Sequence, residues 1–175
     1  MIRDIVFDFG GVLTTIDTER ALQKFRDLGI ENPEQYINSY CQKGPFFEVE
    51  NGDIDAEEFC RRISAIAGRE ITFEEAKEAW LGFLVKIHTH LLEYLQTLRG
   101  RYRLSVLSNT NPFIQSWALT SDFTPTGKSL ADYFDNLFFS YLFIFFQLCT
   151  AGVTEFCALG KFFSTVFTKH DKTSL

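Results

Sequence analysis

The chain has 175 residues, enough for one domain or for one core with a modest insertion. Its apolar fraction of 46% is that of a globular protein. With 17 basic against 23 acidic residues and a formal net charge of −6, the composition argues against a nucleic-acid partner, whose phosphates call for clustered Lys and Arg. The cysteines Cys41, Cys60, Cys149 and Cys157 form no CxxC pair, and no His stands at a zinc-ligand spacing from them. They read as free thiols of a reducing compartment. The apolar run behind Arg3 and Asp4 is too short for a signal peptide, so the expected location is cytoplasmic.

In chain order, Ile2 to Phe9 is the first element. Its apolar run Ile5-Val6-Phe7, stopped by Gly10-Gly11, predicts a strand at the buried centre of a parallel sheet. Asp17 or Thr18 caps a helix with apolar positions Ala21, Leu22, Phe25 and Leu28, ended by Gly29. Asn32-Pro33 starts a short helix, and Gly44-Pro45-Phe46-Phe47 reads as a loop that could line a substrate entrance. Asn51-Gly52-Asp53 is a turn. Asp55 with Glu58, and Thr72 with Glu75, are capping-box patterns opening two further helices. Trp80 and Phe83 read as core of this helical stretch, and Arg61-Arg62 as a solvated face. A helix runs from about His88 to Leu98, with His88 and His90 at its surface or at a hinge. A second buried strand spans Tyr102 to Leu107, and Pro112 opens a helix. Ser129 to Phe134 is a helical turn, and Leu137 to Tyr141 a third strand. The order strand, helices, strand, helix, strand predicts an α/β fold with a helical insertion.

Two strand ends carry chemistry. Asp8 ends a buried strand and is followed by glycines, the position at which open α/β sheets hold their ligands. Gly10 and Gly11 let the backbone turn sharply and approach an anion. A carboxylate there can attack a phosphoryl group, provided a cation offsets the repulsion between two anions. The plainer alternative is an Asp that only caps the turn. The second strand delivers Ser108, a hydrogen-bond donor for a phosphoryl oxygen, and Asn109, whose amide can orient the group. Their plainer alternative is an N-cap for the Pro112 helix. Two strand ends carrying complementary groups are more specific than either alone.

The segment Phe7-Asp8-Phe9-Gly10-Gly11-Val12-Leu13 resembles motif one of the haloacid dehalogenase (HAD) superfamily, and Leu107-Ser108-Asn109-Thr110-Asn111 resembles motif two. Both look most like the small bacterial subgroup of sugar-phosphate phosphatases related to α-glucose-1-phosphatase. The resemblance covers residues 1 to about 141. It implies a Rossmann-like core of residues 1–17 and 90–141 with a parallel sheet, C-terminally incomplete, and an inserted helical cap at 18–89. It also implies a hydrolase acting on a small phosphorylated metabolite. Asp8 would be the nucleophile. Ser108, Asn109 and Gly11 would surround the phosphate. Mg²⁺ would be held by the Asp8 carboxylate, the Gly10 backbone carbonyl and acidic residues of a later loop.

The chain departs from the family in two places. Gly10 stands where most family phosphatases carry a second Asp as general acid and base. That absence is shared with the subgroup, and it leaves a 2-haloacid dehalogenase-like hydrolase as an alternative. After Tyr141 the family's basic residue and its acidic metal pair are not recognisable: no Lys or Arg precedes Lys161, and no Asp precedes Asp171. From Asn136 to Thr154 there is no charged residue, and ten of the 20 Phe fall after residue 133. The atypical stretch 142–175 reads as a shifted frame or truncation, as a membrane anchor, or as a replacement for missing strands. The abrupt change of character favours the first, so impaired activity, or an inactive remnant, is expected.

Overall fold

The computed structural model describes residues 2–37 and 42–139. The expectations for Tyr141 and for the stretch 142–175 lie outside the described residues. Five strands and six α-helices are described: β1 (Asp4–Asp8), β2 (Thr14–Ile16), α1 (Thr18–Asp27), α2 (Pro45–Asn51), α3 (Ala56–Ala67), α4 (Phe73–Trp80), β3 (Leu84–Ile87), α5 (Thr89–Leu98), β4 (Arg103–Ser108), α6 (Pro112–Ala118) and β5 (Asn136–Phe139). This is the α/β architecture read from the sequence. Among the described residues no helix is long and apolar enough to cross a membrane.

The main sheet is parallel, in the order β1-β4-β5. In register, Asp4 faces Arg103 and Asp8 faces Leu107, while Ser105 faces Asn136 and Ser108 faces Phe139. The expectation that β1 is the buried centre is corrected: among the described strands the centre is β4. Leu104 and Val106 of β4 are fully buried, whereas Val6 in the middle of β1 is 56% exposed. A strand is dry on both faces only where other elements cover both. Among the described strands β1 is an edge, and its Ile5 and Phe7 are only half-buried, with Phe7 packed on Phe134. Asp135 fixes the start of β5 in place of a strand residue. Its N–H donates to the Leu104 carbonyl and its carboxylate accepts from the Leu104 N–H, both at 2.8 Å.

A second, two-stranded sheet pairs β2 with β3 antiparallel, Thr14 opposite Ile87. The sequence predicts no such sheet. These strands of three and four residues are joined only by a long-range pairing, and neither carries a local signal. The helices α1 to α4 therefore leave and re-enter the rest of the molecule through one narrow two-strand stem. His88 braces it: its N–H donates to the Leu13 carbonyl at 2.9 Å, and its Nε2 lies 3.3 Å from Thr15 Oγ1.

Capping chemistry sets the helix starts. Asp17 accepts from the Arg20 N–H, and Thr72 with Glu75 forms a complete capping box. At α3 only half of the predicted box exists. Asp55 accepts from the Glu58 N–H, but the Glu58 carboxylate turns to Arg61 and Arg62. The segment read as a loop at Phe46 and Phe47 is the helix α2, with Pro45 in its first turn. Phe46 is fully buried and Phe47 is 49% exposed, so Phe46 belongs to a core rather than to an entrance. That core is aromatic: Phe46 meets Phe25 edge-on at 4.9 Å and Phe59 at 5.1 Å, and Trp80 packs on Phe25 and Phe83. Phe113 of α6 ties this cluster to the sheet side, 5.2 Å from Phe59 and 4.9 Å from Phe73.

Candidate active site

Asp8 is the last residue of β1, and its side chain is solvent-accessible. Beyond it the chain turns back at once. The Leu13 and Thr14 N–H groups both donate to the Phe9 carbonyl, at 2.9 and 3.2 Å, and Gly11 takes φ +74°, a conformation suited to glycine. The turn brings backbone donors to the carboxylate: the Phe9 N–H donates to Asp8 Oδ1 at 2.7 Å. Desolvation by its surroundings raises the Asp8 pKa, while the Phe9 and Gly10 amides pull it back.

Ser108 ends β4, one position beyond the residue paired with Asp8. Adjacent strands lie about 4.8 Å apart and rise about 3.3 Å per residue, which brings the Asp8 and Ser108 backbones to roughly 6 Å. Ser108 is buried and Asn109 is exposed. Asn111 caps α6, its Oδ1 accepting from the Phe113 and Ile114 N–H groups at 3.1 Å. The N-cap alternative thus belongs to Asn111 rather than to Ser108 or Asn109. A carboxylate, a hydroxyl and a glycine turn meet at one end of the sheet, an arrangement that can hold a tetrahedral anion against a nucleophile.

Gly10 has one close neighbour where a side chain would stand. A Cβ there would meet Ile16 Cδ1 at 3.0 Å, the mobile end of an exposed side chain. Among the described residues no three His, Cys, Asp or Glu side chains come together to hold a metal. Mg²⁺ requires near-octahedral oxygen coordination. The Asp8 carboxylate and the Gly10 carbonyl would supply two positions of it, so the described residues by themselves do not complete a magnesium site.

One acidic residue passed unremarked in the sequence. Glu50, in the last turn of α2, faces the side-chain amides of Asn111 and Gln42, and burial pushes its pKa up to about 7. A separate groove of about 490 Å³ is lined by Lys86, Ile87, Thr89, Asp122, Phe123, Thr124 and Pro125. None of the predicted site residues lines it. Trp80 lies in the core as expected, and Arg61 and Arg62 stay at the surface, paired with Glu58 and, for Arg62, with Glu48.

No protein-family model matches the chain. A D-ribitol-5-phosphate phosphatase of Bacteroides thetaiotaomicron is 45% identical over 141 residues, which are 81% of this chain and 68% of that protein. A predicted HAD-like family hydrolase from Porphyromonas gingivalis superposes with a TM-score of 0.76 at 37% identity, over 82% of this chain and 68% of its own. A HAD family enzyme from Bacteroides thetaiotaomicron, solved as a complex with magnesium and inorganic phosphate, superposes with a TM-score of 0.70 at 32% identity, over 81% of this chain and 70% of its own. Motifs, fold and relatives agree, and the chain belongs to the HAD-like hydrolase family.

Proposed function

We propose that this chain is a phosphatase of a small phosphorylated metabolite, a sugar or sugar-alcohol phosphate, acting through an aspartyl-phosphate on Asp8. The observation that carries the reading is the adjacency of Asp8 and Ser108 at the ends of paired parallel strands. The 45% identity to a D-ribitol-5-phosphate phosphatase supports it. In the first step an Asp8 Oδ attacks phosphorus and the ester P–O bond breaks. The leaving alkoxide takes a proton from water, since Gly10 offers no side-chain acid. Water then attacks the acyl phosphate, phosphate leaves, and the Asp8 carboxylate is restored. Ser108 donates to a phosphoryl oxygen, Asn109 orients the group, and the Gly11 turn admits it closely. The helical segment 18–89 serves as the cap that covers the substrate.

Mg²⁺ is the expected cofactor, with the Asp8 carboxylate and the Gly10 carbonyl as this chain's contribution, and its charge offsets the meeting of two anions. Turnover is expected to be slow, because residues 142–175 carry no recognisable counterpart of the family's basic residue or of its acidic metal pair. Loss of one such electrostatic stabiliser costs about 10²–10³-fold in other enzymes. The test is phosphate release from D-ribitol 5-phosphate by the wild type and by Asp8→Asn, each with and without Mg²⁺. Release that requires both Mg²⁺ and Asp8 supports the reading. Release that persists in Asp8→Asn, or none from the wild type, refutes it.

A further inference from the structure

Between Ser108 and α6 lies a set of polar groups that the phosphoryl chemistry does not use. Thr110 is 4% exposed and Asn111 fully buried, yet neither Thr110 Oγ1 nor Asn111 Nδ2 has a hydrogen-bond partner. Asn111 spends its Oδ1 on the α6 cap, which leaves the Nδ2 end pointing elsewhere. On that side stands Glu50 of α2. The Asn111 side-chain amide helps stabilise the Glu50 carboxylate, but Nδ2 makes no hydrogen bond of normal geometry. A buried donor left without a partner costs about 1–3 kcal/mol. Such groups are rare in native proteins and mark strain, a functional role, or a position completed by a water, an ion or a ligand.

Their place in the chain ties them to the site. Thr110 follows Ser108 by two residues and Asn111 by three, so neither backbone lies more than about 11 Å from that of Ser108. Phe59 and Phe73 of the helical segment pack on Phe113, two residues beyond Asn111. The chemistry of the set is specific. It holds one amide donor, one hydroxyl that both donates and accepts, and one carboxyl. It has no Lys or Arg among its members, which argues against a second phosphate or a carboxylate on the ligand. Burial leaves Glu50 near half-protonated at neutral pH, so it too can donate or accept.

We propose that Glu50, Thr110 and Asn111 bind the hydroxyl groups of the substrate's polyol chain, and so select polyhydroxylated phosphate esters over plain alkyl ones. This inference rests on the proposed phosphatase site and names the part of the substrate read beside it. The full chain is titrated in Mg²⁺ with three probes that are not hydrolysed: inorganic phosphate, ethylphosphonate, and the phosphonate analogue of a pentitol 5-phosphate. The wild type is expected to bind the pentitol phosphonate at least about tenfold more tightly than ethylphosphonate, as one or two added hydrogen bonds would give. Glu50→Gln and Thr110→Val are each expected to reduce that ratio about fivefold, with near-ultraviolet circular dichroism checking that both remain folded. A wild-type ratio near one, or a ratio that both folded variants keep, overturns this inference and leaves the phosphate site standing. Failure of the wild type to bind any of the three overturns the phosphate site and this inference with it.

Discussion

Trp80, Phe25, Phe46 and Phe59 in the helical segment are each no more than 1% exposed, whereas Val6, at the middle of the strand that carries Asp8, is 56% exposed. The two regions close their cores by different means. Helices α1 to α4 satisfy their backbones internally and need only bring one face together, which aromatic side chains spaced along four short helices accomplish. A strand satisfies half of its backbone through each neighbour. Among the described strands β1 has one such neighbour, β4, and so Asp8, the proposed nucleophile, sits on the less enclosed element. The comparison predicts that stability is concentrated in the helices and that chemistry is built on a thinner support.

The largest test of that contrast is Phe46→Ala. Phe46 is fully buried and touches Phe25, Tyr36, Phe59 and Trp80. Its truncation should cost about 3–5 kcal/mol, read as a shift of the urea unfolding midpoint. A loss below about 1 kcal/mol would mean that the aromatic cluster does not hold the helical segment. Next is Gly82→Ala, where a Cβ would lie 2.9 Å from the Ala21 Cα, a backbone atom that cannot swing aside. Overpacking of this kind costs about 1–3 kcal/mol, and thermal melts of the single variant measure it. An unchanged melting temperature would show that α1 and the turn at residues 81–83 are less tightly docked than their contact indicates.

How much of this could be read in advance follows from the range of each interaction. The ends of α1, α3 and α4 were legible because Asp17, Asp55 and Thr72 cap through hydrogen bonds spanning three residues. Asp8 and Ser108 were legible because each ends an apolar run that also ends a strand. Strands β2 and β3 were not, since Thr14 pairs with Ile87 across the whole helical segment. Helix α2 was hidden by Gly44-Pro45, a pair that marks a loop as readily as a first helical turn. The apolar spacing of Phe46 and Val49 was the signal that could have found it. Glu50 sits in a charged-looking run, Glu48-Val49-Glu50-Asn51, which gives no sign that its carboxyl is drawn in against Asn111.

Glu50 marks where the two regions meet, and pH probes that junction. Its folded pKa of about 7 stands above the ordinary 4.5, with burial as the leading cause and the Asn111 and Gln42 amides opposing it. Because the unfolded chain gives up this proton first, stability falls as pH rises from about 4.5 to about 7 and then levels off. Glu50→Gln removes the ionisation. The variant should gain on the order of 1–2 kcal/mol relative to wild type at pH 8 and nothing at pH 4.5, as chemical denaturation at the two pH values would show. An advantage that is the same at both would mean that Glu50 is not buried against Asn111. On the polyol reading the same substitution stabilises the fold and weakens recognition.

The smallest expected effect discriminates best between the two kinds of core. Val6→Thr changes a side chain that is 56% exposed on the face of β1 shared with Ser105. Threonine keeps the β-branched shape and strand propensity, so only the apolar contact is altered. On an edge strand exposed as described, the change should stay within about 0.5 kcal/mol, as for surface substitutions in general. A dry, doubly covered strand would respond differently: a buried hydroxyl without a partner costs about 1–3 kcal/mol. Comparing the unfolding midpoints of Val6→Thr and Val106→Thr, one position on each strand, therefore reads the difference between β1 and β4 directly. A large loss at Val106 with almost none at Val6 supports an open β1. Equal losses would mean that another segment covers Val6 in solution, and that Asp8 stands on as firm a support as Ser108.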